Sequence, residues 1–187
     1  MKCIEINHGE LNTVIRPLPK PVAGEVLTKV AAAGVNHLDI LQFKGVYITL
    51  PVTSDILGLE IAGTLEALGT GVTDLAVGEE VMALVTGEGY AQYCNAPAPQ
   101  CRPIPSTLKM DEAANVKTPD YPGSTLRAQS VEFKAYIGSK LKQKICPFIE
   151  ARKILSFIHA TFPLCAAAEA LELMARSEHI SKIVLMT

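Results

Sequence analysis

The chain has 187 residues, of which 49% are apolar, and a formal net charge of −2. That length suits one domain with an appendage, and that apolar share supports a proper core. The near-neutral balance gives no electrostatic footprint for nucleic acid or an anionic membrane, and the absence of a run of about 20 apolar residues predicts no transmembrane helix. The opening MKCIEINHGE lacks the apolar stretch of a signal peptide. Five cysteines, Cys3, Cys94, Cys101, Cys146 and Cys165, are irregularly spaced with no C-x-x-C pair. They read as free thiols of a reducing compartment, so a cytoplasmic location is expected, with neither a disulfide framework nor a zinc knuckle.

The first hundred residues read as β-rich. Met1–Ile6 and Thr13–Arg16 are short strand candidates, and Glu25–Ala31 is a third, approached through Pro17, Pro19, Pro21 and Gly24. Asn36 offers an N-cap to a helix carrying Leu38, Ile40, Leu41 and Phe43, which Gly45 stops after about two turns. Glu60–Leu68 is a strand whose Gly63 suits a bulge or a close backbone approach. Glu80–Val85 and Tyr90–Ala96 complete a set of short strands joined by Gly-rich turns, the pattern of a small barrel or sandwich. Arg102-Pro103-Ile104-Pro105 lacks donors at its prolines and belongs at an edge or in a linker.

The character then turns helical. Ser130 caps a helix over 131–146 with Phe133, Ile137, Leu141 and Ile145 at steps of four and most lysines on the other side. Pro147 ends or kinks it. A second helix follows Pro163 with a stripe of Leu164, Ala167, Ala168, Leu171, Met174 and Ala175, and Ile183–Leu185 is a terminal strand.

Four segments carry a family resemblance. Ala33-Gly34-Val35-Asn36-His37-Leu38-Asp39 is similar to the G-V-N-x-x-D segment of the quinone oxidoreductase branch of medium-chain dehydrogenases. Gly45-Val46-Tyr47 with Pro51 resembles its G-x-Y…P loop. Leu57-Gly58-Leu59-Glu60-Ile61-Ala62-Gly63, followed by Gly69, Gly71 and Val72, resembles its G-x-E-x-x-G…G-x-x-V stretch. The tail from Gly123 through Ile158–Leu164 to His179–Leu185 resembles the C-terminus of bacterial members. The resemblance implies a mainly β fold with peripheral helices: a GroES-like barrel over 1–116, completed by a C-terminal return over 151–187. Between these, Lys117–Pro122 stands where the family carries its Rossmann nucleotide domain, and residues 123–150 form an orphan helical segment from the nucleotide-domain side. No G-x-G-x-x-G turn, which lets a backbone approach a pyrophosphate at a helix N-terminus, occurs in the chain.

The family reaction is NADPH-dependent hydride transfer to quinones or activated alkenes, without zinc. By resemblance Tyr47 lines the acceptor site, Asn36 sits near the nicotinamide, and Asn36, Gln42 and Arg127 are the cofactor-side residues. Asn36 is equally well read as a plain N-cap, and Tyr47 as a loop anchor. Zinc is not expected, because Asn36 and Leu59 stand where zinc-dependent relatives have Cys and His. Asp39 reads as a tie between helix and loop, His37 as exposed beside the cleft and His159 as a satisfied structural histidine. No triad logic supports hydrolase chemistry. Without the pyrophosphate turn, NADPH binding by this chain is expected to be weak and the isolated chain inactive. The other readings are an oxidoreductase completed by another chain, and a non-enzymatic module. The helix over 131–146 is too apolar to face water, so it either folds back over the barrel or pairs two chains, and a homodimer is the favoured expectation.

Overall fold

A computed structural model describes residues 1–46, 54–116, 130–154 and 156–187. Strands β1 (Lys2–Asn7) and β2 (Glu10–Ile15) form an antiparallel hairpin. Next come β3 (Glu25–Gly34), helix α1 (His37–Phe43), β4 (Glu60–Leu68), β5 (Glu80–Leu84), β6 (Tyr93–Pro97) and β7 (Cys101–Pro103). Helices α2 (Met110–Ala113), α3 (Val131–Lys144) and α4 (Cys146–Glu150) precede β8 (Ile158–Pro163), α5 (Ala167–Arg176) and β9 (Lys182–Met186). The main sheet runs β7-β5-β4-β3-β9-β8, with β6 also pairing β3. Among the described strands only β8 and β9 pair in parallel, and α5 makes their crossover. The C-terminal segment thus enters the same sheet as the N-terminal strands, with β9 against Ala32–Gly34 of β3.

Alternation along the strands splits the core in two. Val30 and Ala33 of β3, Ile61 and Leu65 of β4, and Ile183 and Leu185 of β9 face the large cluster inside the barrel, where α5 adds Leu171 and Met174. Ala32, Ala62, Met82 and Val184 face the opposite way, onto Ala113, Ala114, Leu141 and Cys146. The small side chains on that second face let the helices come close. At Gly63 β3 and β4 approach too closely for a side chain: a Cβ there would lie 2.1 Å from the Lys29 carbonyl oxygen, and the register of the pair shifts beside it.

Several local expectations hold. Asn36 occupies the N-cap of α1 with extended backbone, and Gly45 follows the helix at φ +67°. Ser130 Oγ accepts from the Phe133 amide at 3.2 Å, and Pro147 starts α4 just after α3 ends. The Arg102–Pro103 segment is an edge strand, and all five cysteines are free thiols.

Other expectations change. In α5 the buried face includes Ala170, while Ala168 and Ala175 are exposed. The covered face of α3 adds Lys134 to the expected stripe: Lys134, Ile137 and Leu141 are buried. Part of the helix's apolar face is covered within the chain. Ile137 and Leu141, each 8% exposed, are covered by this chain itself, with Leu141 on the Ala113–Ala114 side of the sheet. Phe133 and Ile145, the other two residues of the expected stripe, are half-buried. The linker Lys117–Pro122 and the start of the orphan segment, residues 123–129, lie outside the described residues.

Candidate functional site

The end of β3, the start of α1, the start of β4 and the start of β9 meet at one point. Gly34 closes β3 and has no room for a side chain: a Cβ would stand 2.6 Å from the Ala114 carbonyl oxygen and 3.0 Å from Glu60 Oε2. Val35, fully buried, turns the chain into Asn36. The Lys182 ammonium, at the start of β9, donates to Asn36 Oδ1 at 2.9 Å and to Glu60 Oε2 at 2.9 Å. The Lys182 and Glu60 side chains are 11% and 22% exposed, so this pair is shielded well beyond an ordinary surface ion pair.

Behind this cluster lies a second polar layer. Asp39 is fully buried in the first turn of α1. Its Oδ2 accepts from the Asn36 amide at 2.8 Å and from the Tyr90 hydroxyl at 2.9 Å. Burial pushes the Asp39 carboxyl up to about 6, against the pull of those two donors. Burial, and then the adjacent Asp39, hold the Tyr90 phenol well above its ordinary range. Gly58 makes the packing possible. It sits at φ +98°, and a Cβ would meet Tyr90 Cδ1 at 2.6 Å. Asp39 is thus a tie, as its sequence context suggested, and it fixes the backbone of Asn36.

Of the expected site residues, Asn36 is brought into the cluster. Gln42 lies buried on the last turn of α1, where Nε2 donates to the Ser54 carbonyl at 3.4 Å. Tyr47 and Arg127 lie outside the described residues, as does Pro51. His37 is exposed. His159 is also exposed, on β8, with its ring edge-on to His179 at 6.4 Å. Sequence reasoning missed Glu60 and Lys182 as partners. They stand far apart along the chain, and only the unusual placement of a lysine at the head of an otherwise apolar strand hinted at them.

On its other side Glu60 lines a cavity of ≈ 70 Å³ between β5, β7 and α3. Gln100, Arg102, Lys134 and Gly138 share its wall with Met82, Ile137 and Leu141. Among the described residues no group of three or more His, Cys, Asp and Glu side chains is placed to hold a metal ion. Among them, too, no helix is long and apolar enough to cross a membrane.

The half-open barrel, its C-terminal return and a polar cluster at the β3–α1 junction define a GroES-like catalytic-domain fold of the medium-chain dehydrogenase type. Residues 22–116 match the family model of the alcohol dehydrogenase GroES-like domain, and the chain belongs to that family. It is 32% identical over 106 residues to the human synaptic vesicle membrane protein VAT-1 homolog-like, covering 57% of this chain and 25% of that protein. It is 38% identical over 99 residues to an acryloyl-coenzyme A reductase of Metallosphaera sedula, covering 50% of this chain and 29% of the relative. The chain thus spans between a quarter and a third of the length of these relatives.

Among solved structures, the human VAT-1 homolog-like protein superposes with a TM-score of 0.84 at 16% identity, over 100% of this chain and 98% of the other. A mycobacterial protein solved in complex with NADPH gives 0.82 at 18% identity, over the whole of both chains. At such identities the likeness carries the fold alone.

Proposed function

We propose that this chain is the acceptor-side part of a zinc-independent reductase that passes hydride from NADPH to a quinone or an activated alkene. The observation that carries the reading is the Asn36–Lys182–Glu60 cluster. It sets the Asn36 amide beside a Lys182–Glu60 ion pair at the β3–α1 junction, and Asn36 and Leu59 stand where zinc-dependent relatives have Cys and His. The likeness to an acryloyl-coenzyme A reductase and to a protein solved with NADPH supports it.

The described residues do not by themselves fit the dinucleotide. No glycine-rich turn joins a strand to a helix, the feature that lets a backbone approach a pyrophosphate. The 187-residue chain alone is accordingly inactive in this reading, and the reaction belongs to an assembly that supplies the nucleotide site. NADPH would bring the hydride chemistry to that assembly. This chain's part is orientation: Lys182 and the Asp39 tie hold Asn36 toward the nicotinamide side, Tyr47 lines the acceptor site, and Gln42 and Arg127 flank the cofactor.

Fluorescence titration of the purified chain with NADPH tests the first half of the reading. No saturation at micromolar concentrations is expected, and a sub-micromolar dissociation constant would overturn it. Metal analysis after dialysis against chelator should find no stoichiometric zinc, and one retained equivalent would defeat the assignment to the zinc-independent branch.

A further inference from the structure

The near-neutral charge of the whole chain conceals a local asymmetry. Residues 140–154 hold five cations, Lys140, Lys142, Lys144, Arg152 and Lys153, against one acid, Glu150. The stretch is therefore net +4, which leaves −6 on the remainder of a chain whose total is −2. All six of these side chains are exposed. The same part of the fold carries the exposed large aromatic side chains found among the described residues: Tyr136, Phe148 and Phe157.

The end of α4 brings cations and apolar groups to one corner. Cys146 and Ile149 anchor the short helix in the interior, which leaves Phe148 49% exposed on its outer side. The chain then turns through Arg152 at φ +53°, a left-handed conformation that suits glycine. The Arg152 amide donates to the Ile149 carbonyl at 2.8 Å. The Lys153 and Ile154 amides both donate to the Phe148 carbonyl, at 2.8 and 3.3 Å. This folds Lys153 and Ile154, the latter 42% exposed, back over the backbone of Phe148. An arginine in this conformation costs backbone strain that a glycine would not, and what it adds is a charge at a helix C-terminus.

From this arrangement we infer that the corner formed by the last turn of α3, by α4 and by the turn at 151–154 docks on an anionic lipid surface. Phe148 and Ile154 enter the boundary between headgroups and acyl chains, while Lys142, Lys144, Arg152 and Lys153 meet the lipid phosphates. Opposite charge selects the surface, and the apolar tip favours a bilayer over a nucleic acid, to which an exposed isoleucine offers neither stacking nor pairing. Among the described residues no helix is long and apolar enough to cross a bilayer, so the association is peripheral. This inference does not rest on the reductase reading, because it uses neither Asn36 nor a cofactor.

The chain has no tryptophan, so Phe148→Trp installs a single reporter at the corner. Its emission should shift to the blue on adding phosphatidylcholine vesicles that contain about 30% phosphatidylserine, an anionic lipid of cytoplasmic leaflets. Ile15→Trp, at an exposed position on β2, is the control and should not shift. Flotation of the wild-type chain with these vesicles should show binding that falls with salt and is far weaker on pure phosphatidylcholine. Arg152→Gly removes a charge and relaxes the turn, so vesicle binding should weaken about fivefold while the thermal midpoint rises. Lys142→Glu combined with Lys153→Glu should abolish flotation with circular dichroism unchanged. No flotation of wild type on anionic vesicles, equal binding to pure phosphatidylcholine, or equal shifts from the two tryptophans would each overturn the proposal. A Phe148→Trp response to oligo(dT) larger than its response to vesicles would overturn it too, in favour of a nucleic-acid site. If Phe148→Trp fails to fold, flotation of wild type and Arg152→Gly still decides it.

Discussion

At the scale of single residues, the most consequential group is Asp39. It takes up a proton near pH 6 in the fold, against an ordinary carboxyl value of 3.8, because burial penalises its charged form. The folded state therefore holds more protons than the unfolded chain between those two values. Its contribution to stability is complete below about pH 4 and is lost as pH rises through about 6. A displacement of roughly two units corresponds to about 3 kcal/mol at most. Asp39→Asn keeps an oxygen for the Asn36 amide and the Tyr90 hydroxyl but cannot titrate, so its stability should be flat where wild type declines. Urea denaturation at intervals from pH 4 to pH 7 checks this, and an unchanged slope would place the titrating group elsewhere. Asn36 and Asp39 were both legible in the sequence, since an N-cap and an acid three residues later announce themselves locally. Lys182 was not legible as the partner of Asn36 and Glu60, because nothing local to a strand's first residue says which distant carboxylate it will meet.

At the scale of elements, the sheet and α3 differ in how they are held. The β3–β4 pair is fixed by backbone contact at Gly63, where even a methyl group would overlap the Lys29 carbonyl. Gly63→Ala should force these two strands apart and cost on the order of 1–3 kcal/mol or more, a range typical of overpacking. A fall in the thermal midpoint with loss of amide protection across both strands would show it. Helix α3 is held by Ile137, Leu141 and the Arg102 bonds to its backbone and Ser139. Replacing Ile137 and Leu141 with Glu should release it while the barrel's inner cluster, which includes neither residue, stays folded. Proteolysis confined to residues 130–150 is the expected signature, and global unfolding would show that the two clusters are one cooperative unit. The sequence revealed that α3 exists, where it is capped and that it must hide an apolar face. It placed Ile137 and Leu141 on the covered face and missed Lys134 there, because periodicity counts hydrophobes and does not see that a lysine stem also packs.

For the whole molecule, β9 is the element that joins everything. Its Ile183 and Leu185 enter the barrel core, its Val184 enters the second cluster, and its first residue completes the polar site. Removing residues 182–187 should therefore abolish cooperative folding rather than shave a terminus, and a dispersed NMR spectrum from the shortened chain would refute this. The order of short strands, the glycine-punctuated turns, the capped helices and the non-zinc residues at Asn36 and Leu59 were all determined by sequence alone. Each depends on the neighbours of one residue or on a period of two or about four along the chain. The pairing of β9 with β3, the meeting of Lys182 with Glu60 and Asn36, and the packing of α3 on the second face of the sheet were decided only in three dimensions. They join residues whose chemistry is ordinary in isolation, and burial makes that chemistry matter, since a lysine and a carboxylate shielded from water interact far more strongly than the same pair on a surface.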